Sequence, residues 1–257
     1  MSGVGDTNGS GNGARPAAGA GRPVMAKRFY KVAHVSQGDA PFRVLLDGRG
    51  VRTPGRREIA FSSLALASLL VSEWEAQRDV IDPATMPATR IVNSALDGVA
   101  GRMPEVRADI VAYASHDLVC YRAEGPAKLA ARQHARWQPV LDWAAAELGA
   151  RLTVVAGLMP VKQDGAALAA VERALAPLDP LRLAATHVAT TLTGSALLAL
   201  AVLVGRLDVE TAWRAAHVDE DFQSEAWGED PEASARRERR WQEMRAAAAI
   251  MALASPD

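Results

Sequence analysis

Residues 42–74 read FRVLLDGRGVRTPGRREIAFSSLALASLLVSEW, and the fold class turns on the change of period inside them. Phe42 to Leu46 reads as a strand. Asp47-Gly48 then supplies the dipeptide favoured in a two-residue hairpin turn, whose central positions need positive φ. Val51 to Thr53 and Glu58 to Phe61 read as further short strands, broken at Thr53-Pro54-Gly55. From Ser62 the period becomes helical: Leu66, Leu69, Leu70 and Trp74 form one apolar stripe behind Ser62 or Ser63 as N-cap. Trp74 stands four residues beyond Leu70 and eight beyond Leu66, which predicts that it packs beneath the strands in a structural role.

Upstream, Arg28 to Val35 reads as a strand separated from Phe42 by the turn-rich Gln37 to Pro41. An antiparallel β unit is therefore expected over 26–61, too short to stand alone. Residues 1–25 carry seven glycines and no apolar run. They read as a disordered tail without the features of a secretory signal or a transit peptide. A cytoplasmic location is the expectation, since a mitochondrial matrix location would need a targeting segment not seen here.

Downstream of the first helix, which should end before Asp82-Pro83, Pro87 opens a helix carrying Ile91, Val92, Ala95 and Leu96 that stops at Asp97-Gly98. Pro104 to Ser115 predicts a third. Leu118 to Tyr121 is too short to classify. Pro126 to Leu148 is helical in composition, with a break at Pro139 and a stop at Gly149. Leu152 to Val155 is strand-like, and Leu168, Val171 and Leu175 mark a helix. Asp208 caps a helix burying Val209, Ala212, Trp213 and Ala216. Asp230-Pro231-Glu232 starts a last helix with the stripe Trp241, Met244, Ala248 and Met251. The expectation is an α+β chain: a small N-terminal antiparallel β unit, then a larger, mainly helical domain over 62–257.

Composition narrows the function classes. Of 257 residues, 49% are hydrophobic but 52 are alanine and only 5% of the chain is aromatic, so much of the apolar share is helix-forming filler. With 29 basic and 30 acidic residues the net charge is -1, which argues against a nucleic-acid binder working through a global positive field. The single cysteine, Cys120, forms no internal disulfide. Leu183 to Val204 lacks Asp, Glu, Lys and Arg, but the Thr-rich first half leaves only Ala196 to Val204 continuously apolar, too short to span a bilayer. One buried helix, or two meeting near Gly194, is the reading, with no membrane insertion.

Neither the P-loop nor a strand-linked GxGxxG is present, and the histidines show no HExxH spacing. No cofactor or metal is expected. Ser195 lies outside a GxSxG context, and its hydroxyl should be satisfied by its own backbone. His187 reads as a core histidine bonded to a neighbouring Thr. The strongest charge feature is Asp219-Glu220-Asp221 with Glu225, Glu229, Asp230 and Glu232, seven acids with no base from 219 to 232. Three readings stay open: a solvated helix end, a metal or catalytic cluster, and a recognition surface in which Phe222 and Trp227 supply aromatic contact inside a charged rim. If the Asp208 helix runs on to 223, Glu220 and Gln223 share a face and Phe222 points elsewhere, as an anchor for the segment.

Two stretches, residues 46–87 and 212–233, together resemble the ATP synthase assembly-factor family that chaperones the alpha subunit of the F-type catalytic head. The motifs are Leu46-Asp47-Gly48-Arg49, Thr53-Pro54, Glu73-Trp74 with Gln77, Met86-Pro87, and Asp219 to Gln223 with Trp227-Gly228. The likeness runs in order from about Arg28 to Trp241. The resemblance implies a non-enzymatic chaperone that holds the free alpha subunit transiently, as a monomer, until the beta subunit replaces it. Asp219, Glu220, Asp221, Gln223 and Trp227 would contact the client, with Glu220 foremost; Asp47, Gly48, Trp74, Gln77, Pro87 and Phe222 would be structural. Ser224 and Ala226 depart from the larger or charged residues that relatives carry there. The alternative is a small-molecule enzyme with a carboxylate in a pocket between the β unit and the helices. Its difficulty is the lack of a paired nucleophile and base.

Overall fold

The computed structural model describes residues 25–157, 159–228 and 230–254; the 1–24 part of the expected tail, and Glu229, lie outside them. Four short antiparallel strands come first: β1 (Ala33–Val35), β2 (Phe42–Leu46), β3 (Arg49–Gly50) and β4 (Ala60–Phe61). β2 is central, with β1 on one side and β3 and β4 following one another along the other. Leu46 pairs with Arg49 across the expected two-residue turn, where Asp47 and Gly48 take φ of +47° and +81°. Such values define the mirror-image turn that follows strand twist, and only small or Asx residues adopt them cheaply.

The first strand is shorter than its sequence suggests. The Asp47 carboxylate accepts the Lys31 amide at 3.1 Å and the Val32 amide at 3.0 Å. Those N–H groups are thereby withdrawn from any ladder, and pairing starts only at Ala33. The Arg28 end is instead held by a hydrogen bond from the Arg28 amide to the Asp79 carbonyl at 2.9 Å and a bridge between Lys27 and Val80.

Helix α1 (Leu64–Glu75) is capped by Ser63, whose hydroxyl accepts from the Leu66 amide. It crosses the sheet and buries Leu66, Ala67 and Leu70 beneath it. Helices α2 (Pro87–Asp97) and α3 (Met103–Ser115) follow, then strand β5 (Tyr121–Arg122), helix α4 (Ala127–Trp143) and strand β6 (Val155–Ala156), which pairs parallel with β5. Leu118 to Cys120 forms a 3-10 turn, and the strand read at Leu152 begins three residues later.

Pro139 does not break its helix: α4 runs through it, and the backbone widens only beyond, over Ala144–Leu148. A proline inside a helix costs about 3 kcal/mol, and burial offsets it. Trp137, Val140, Leu141 and Trp143 are all buried, and the Trp137 indole N–H donates to the Ala215 carbonyl at 2.7 Å. Each such side chain is worth about 1.5–3 kcal/mol.

The remainder is helical: α5 (Gly165–Leu175), α6 (Pro180–Thr193), α7 (Ala196–Leu203), α8 (Val209–Ala216), α9 (Val218–Trp227) and α10 (Pro231–Leu253). The uncharged run is two helices meeting at Gly194, whose φ of +67° turns the chain between α6 and the Ser195 cap of α7. Among the described residues no helix is long and apolar enough to cross a membrane. α6 sits at the centre, against α2, α3, α7 and α10. One contiguous core extends from Tyr30 under the sheet to Met251 near the end of α10, so packing continues across the 61/62 boundary.

Candidate functional site

Three of the sequence motifs meet at the junction of α1 and α2. α2 has Pro87 as its first residue and a cap position, Met86, that offers no side-chain acceptor. The acceptor comes from α1: the Glu73 carboxylate takes the Ala88 amide, the Thr89 amide and the Thr89 hydroxyl, each at 2.7 Å. Burial raises the Glu73 pKa, and these three bonds only partly oppose it. Gln77 is buried; its amide nitrogen donates to the Glu73 carbonyl and Thr85 hydroxyl, and its oxygen accepts the Asp82 amide at 2.7 Å. Trp74 is half-buried, edge-on to Tyr30 at 5.7 Å, and its carbonyl accepts the Tyr30 hydroxyl at 2.6 Å. Glu73-Trp74, Gln77 and Met86-Pro87 thus form one joint between helices.

At the other end of α2 the Asp97 carboxylate accepts the Thr53 hydroxyl at 2.6 Å and the Gly55 amide at 2.7 Å, pinning the Thr53-Pro54-Gly55 turn. The Thr53 bond is the largest of the contacts that hold Asp97 below the usual carboxylate range. A Cβ on Gly55 would stand 2.5 Å from an Asp97 oxygen, which is why glycine fits there.

The acidic box lies elsewhere, on α9. The Asp208 helix does not reach 223: α8 ends at Ala216, the chain turns at His217, and α9 starts at Val218. The new start places Asp219, Glu220 and Asp221 in a first helical turn, where the helix dipole favours carboxylates. It also splits the box into two faces. Toward α4 and α10, Asp219 accepts from the buried Gln133 amide at 2.7 Å, and Asp221 pairs with Arg237 at 2.5 Å and Arg136 at 3.7 Å. Glu225 takes both arms of Arg132 at 2.7 Å. Phe222 is half-buried on this side, with the Arg132 guanidinium 5.4 Å from its ring centre. Asp219 and Asp221, expected among the client-contacting residues, are therefore engaged within the chain.

The other face carries Glu220, Gln223, Ser224 and Trp227, the i, i+3, i+4, i+7 set of one helix side. These side chains line a cleft of about 630 Å³ opposite Arg237, Glu238 and Trp241 of α10, with Trp213 of α8 between them. Trp213 and Trp241 lie 5.5 Å apart. Trp227 is 88% exposed, the most exposed large apolar side chain among the described residues. Glu220 points outward, its side chain 58% exposed, with one oxygen 3.9 Å from His217 Nε2. His217 is buried against Trp213, and its Nδ1 donates to the Trp213 carbonyl at 2.8 Å. Burial lowers the His217 pKa, which favours the uncharged ring.

Sequence reading did not find the α10 wall. The arginine run that follows the acids was its signal, but only tertiary structure shows Arg237 and Trp241 facing Glu220. His187 also differs from expectation: its partner is the Asp109 carboxylate at 3.8 Å, while Thr186, Thr190 and Thr191 spend their hydroxyls on carbonyls of their own helix. Ser195 caps α7 through the Leu198 amide. Asp117, at zero exposure, accepts the Val119 and Leu197 amides, and burial pushes its carboxyl up to about 6. Among the described residues no three His, Cys, Asp or Glu side chains are placed to hold a metal. The cleft at the β unit, about 500 Å³ between Trp74, Phe29, Arg49 and Arg52, holds one carboxylate, Asp47. Its oxygens are taken by backbone amides that lower its pKa, so it is a poor general acid or base.

A family model for the ATP12 chaperone protein matches residues 27–145. The chain is similar to the solved structure of Atp12 from Paracoccus denitrificans, with 40% identity, a TM-score of 0.81, and coverage of 90% of this chain and 99% of that one. A solved Agrobacterium tumefaciens protein, named a chaperone candidate, is 47% identical with a TM-score of 0.84, covering 89% of this chain and 86% of that one. The mitochondrial protein atp12 of Schizosaccharomyces pombe is 22% identical over 214 residues, 79% of this chain and 74% of that protein. These relatives are named as chaperones or by the family name, and none as an enzyme.

Proposed function

Because the chain belongs to the ATP12 chaperone family of ATP synthase assembly factors, we propose that it binds the free alpha subunit of the F-type catalytic head and keeps it soluble until the beta subunit displaces it. The proposed contact surface is the open face of α9, with Glu220, Gln223 and Trp227 at its centre. One observation carries this assignment. Asp219, Asp221 and Glu225 are paired with Gln133, Arg237 and Arg132 within the chain, whereas Glu220 and an almost fully exposed tryptophan share the open side of the cleft.

An unassembled alpha subunit exposes surface that it would bury against beta, and such patches promote self-association. A holder must cover the patch and still leave. An aromatic anchor in a charged rim meets both demands, because the rim steers and orients while the small apolar contact keeps dissociation fast. The chain acts as a monomer in the bacterial cytoplasm in this reading, without cofactor.

Charge reversal of Glu220 tests it. An exposed carboxylate contributes little to folding, so Glu220→Lys should stay within about 0.5 kcal/mol of parental stability. Opposite a basic patch the same change costs several kcal/mol of binding. Purified Glu220→Lys should therefore melt like the parent yet fail to co-elute with isolated alpha subunit or to keep it soluble. Unchanged chaperoning would place recognition on another face. Unfolding would make Glu220 part of the His217 packing and remove it from the surface.

A further inference from the structure

α8 separates two concavities. Trp213 faces the cleft beside α9, and Thr211, Arg214 and Ala215, turned to another side of the same helix, face a second cavity of about 310 Å³. Its floor is apolar: Pro139 and Val140 from α4, and Leu207 from the loop before α8. Its rim is cationic, made by Arg136, Arg206 and Arg214. Arg136 is occupied, donating to the Arg214 carbonyl at 2.6 Å and lying 3.7 Å from Asp221. Arg206 and Arg214 are exposed, and among the described residues neither guanidinium has a carboxylate at ion-pair distance. Asp208 acts on Arg214 only from farther off, and its two oxygens are held by the Thr211 amide and hydroxyl at 2.7 and 2.8 Å.

We infer that this cavity docks an acidic, aliphatic segment of the protein client, one aliphatic side chain entering the floor and flanking carboxylates pairing with Arg206 and Arg214. The inference rests on the reading of the chain as a holder of an unassembled subunit. Charge complementarity carries it. An apolar hollow alone accepts any aliphatic side chain, whereas two guanidiniums at its rim repel basic flanks and pair with acidic ones. Pro139 and Ala135 of α4 add apolar surface to the wall. A client lying across α8 meets the Glu220 face on one side and the arginine rim on the other, and opposite signs on two sides of one helix set its orientation.

The probe is a fluorescein-labelled peptide of sequence Glu-Glu-Leu-Leu-Glu-Glu, titrated with the full chain by fluorescence anisotropy at low and raised salt. The parent should bind it saturably and more weakly in raised salt. Arg206→Glu/Arg214→Glu should bind about tenfold more weakly or not at all, and a Lys-for-Glu peptide should not bind. Absence of saturable binding, or equal binding by the double variant, overturns the inference. So does saturable binding of decanoate with none of the peptide, which makes the cavity a small-molecule site. Co-elution with isolated alpha subunit separates the two ideas. If the parent holds the subunit and the double variant holds it equally well, the cavity plays no part and the proposed function stands. If the parent does not hold the subunit at all, the proposed function fails and the peptide titration alone decides the cavity.

Discussion

Replacing Glu73 by alanine should destabilise the chain by about 3 kcal/mol without touching either proposed client surface. The carboxylate receives three bonds of 2.7 Å, from two amides at the start of α2 and one hydroxyl. Bonds to a charged acceptor contribute about 1.5–3 kcal/mol each. They do not add fully here: the Thr89 amide and hydroxyl share one oxygen, and removing a half-buried carboxylate also relieves the burial cost that raises its pKa. Loss of an N-cap alone costs about 0.5–2 kcal/mol, and Met86 offers no side-chain substitute. Urea unfolding should show a lower midpoint at unchanged slope, and the melting temperature should fall by about 6–12 °C for a chain of this size. Glu73→Gln keeps one acceptor oxygen and should lose roughly half as much. If Glu73→Ala unfolds within about 0.5 kcal/mol of the parent, α2 is capped by other means and the joint between the helices is not what the Glu73-Trp74 and Met86-Pro87 motifs encode.

Gly55→Ala forces a Cβ to 2.5 Å from the Asp97 carboxylate; it should displace that group from Thr53 and cost about 1–3 kcal/mol by urea unfolding, and a neutral result would show that the turn is held otherwise. Trp74→Arg removes the ring packed on Tyr30 and should cost more than about 3 kcal/mol; a soluble, well-folded variant that only binds less client would instead make Trp74 a contact residue. Asp117 gives a pH signature: its folded pKa is raised from 3.8 to about 6, so its contribution to stability is full below the unfolded value and is lost as pH rises through about 6. Relative to Asp117→Asn, whose side chain does not titrate, the parent should lose roughly 2 kcal/mol between pH 4 and pH 7, and a pH-independent difference in unfolding free energy would refute it.

What the sequence made legible was local chemistry. Asp47-Gly48 names its own turn because positive φ at two successive positions admits few residues, and Ser63, Asp208 and Asp230 announce helix starts because an N-cap bonds only two or three residues ahead. The misreadings arose where a distant group intervened. Arg28 to Val35 has strand composition, yet Asp47 takes its amides. Pro139 looks like a break until Trp137 is seen buried against Ala215. The acidic run reads as one surface because its partners, Gln133, Arg132 and Arg136, lie in a helix far back in the chain. Only the turn at His217 decides which acids face them and which face out.

α2 is secured at both ends by carboxylates that belong to different elements. Glu73 of α1 grips its first turn, and its own last residue, Asp97, grips the Thr53 turn of the β unit. Since the β unit runs directly into α1, the three pieces close a triangle whose third side is a strut of 11 residues, about 16 Å long. A triangle cannot shear. Tilting the sheet relative to the helices would open one carboxylate joint or the other, and α2 is itself braced against α10 through Arg90 and Glu243 at 3.2 Å. The sheet is thereby held at a set angle to α1 and α2 by two hydrogen-bonded joints, so this end of the molecule moves as one rigid piece. One residue inserted in α2 would turn Asp97 by about 100° and break its hold on the Thr53 turn.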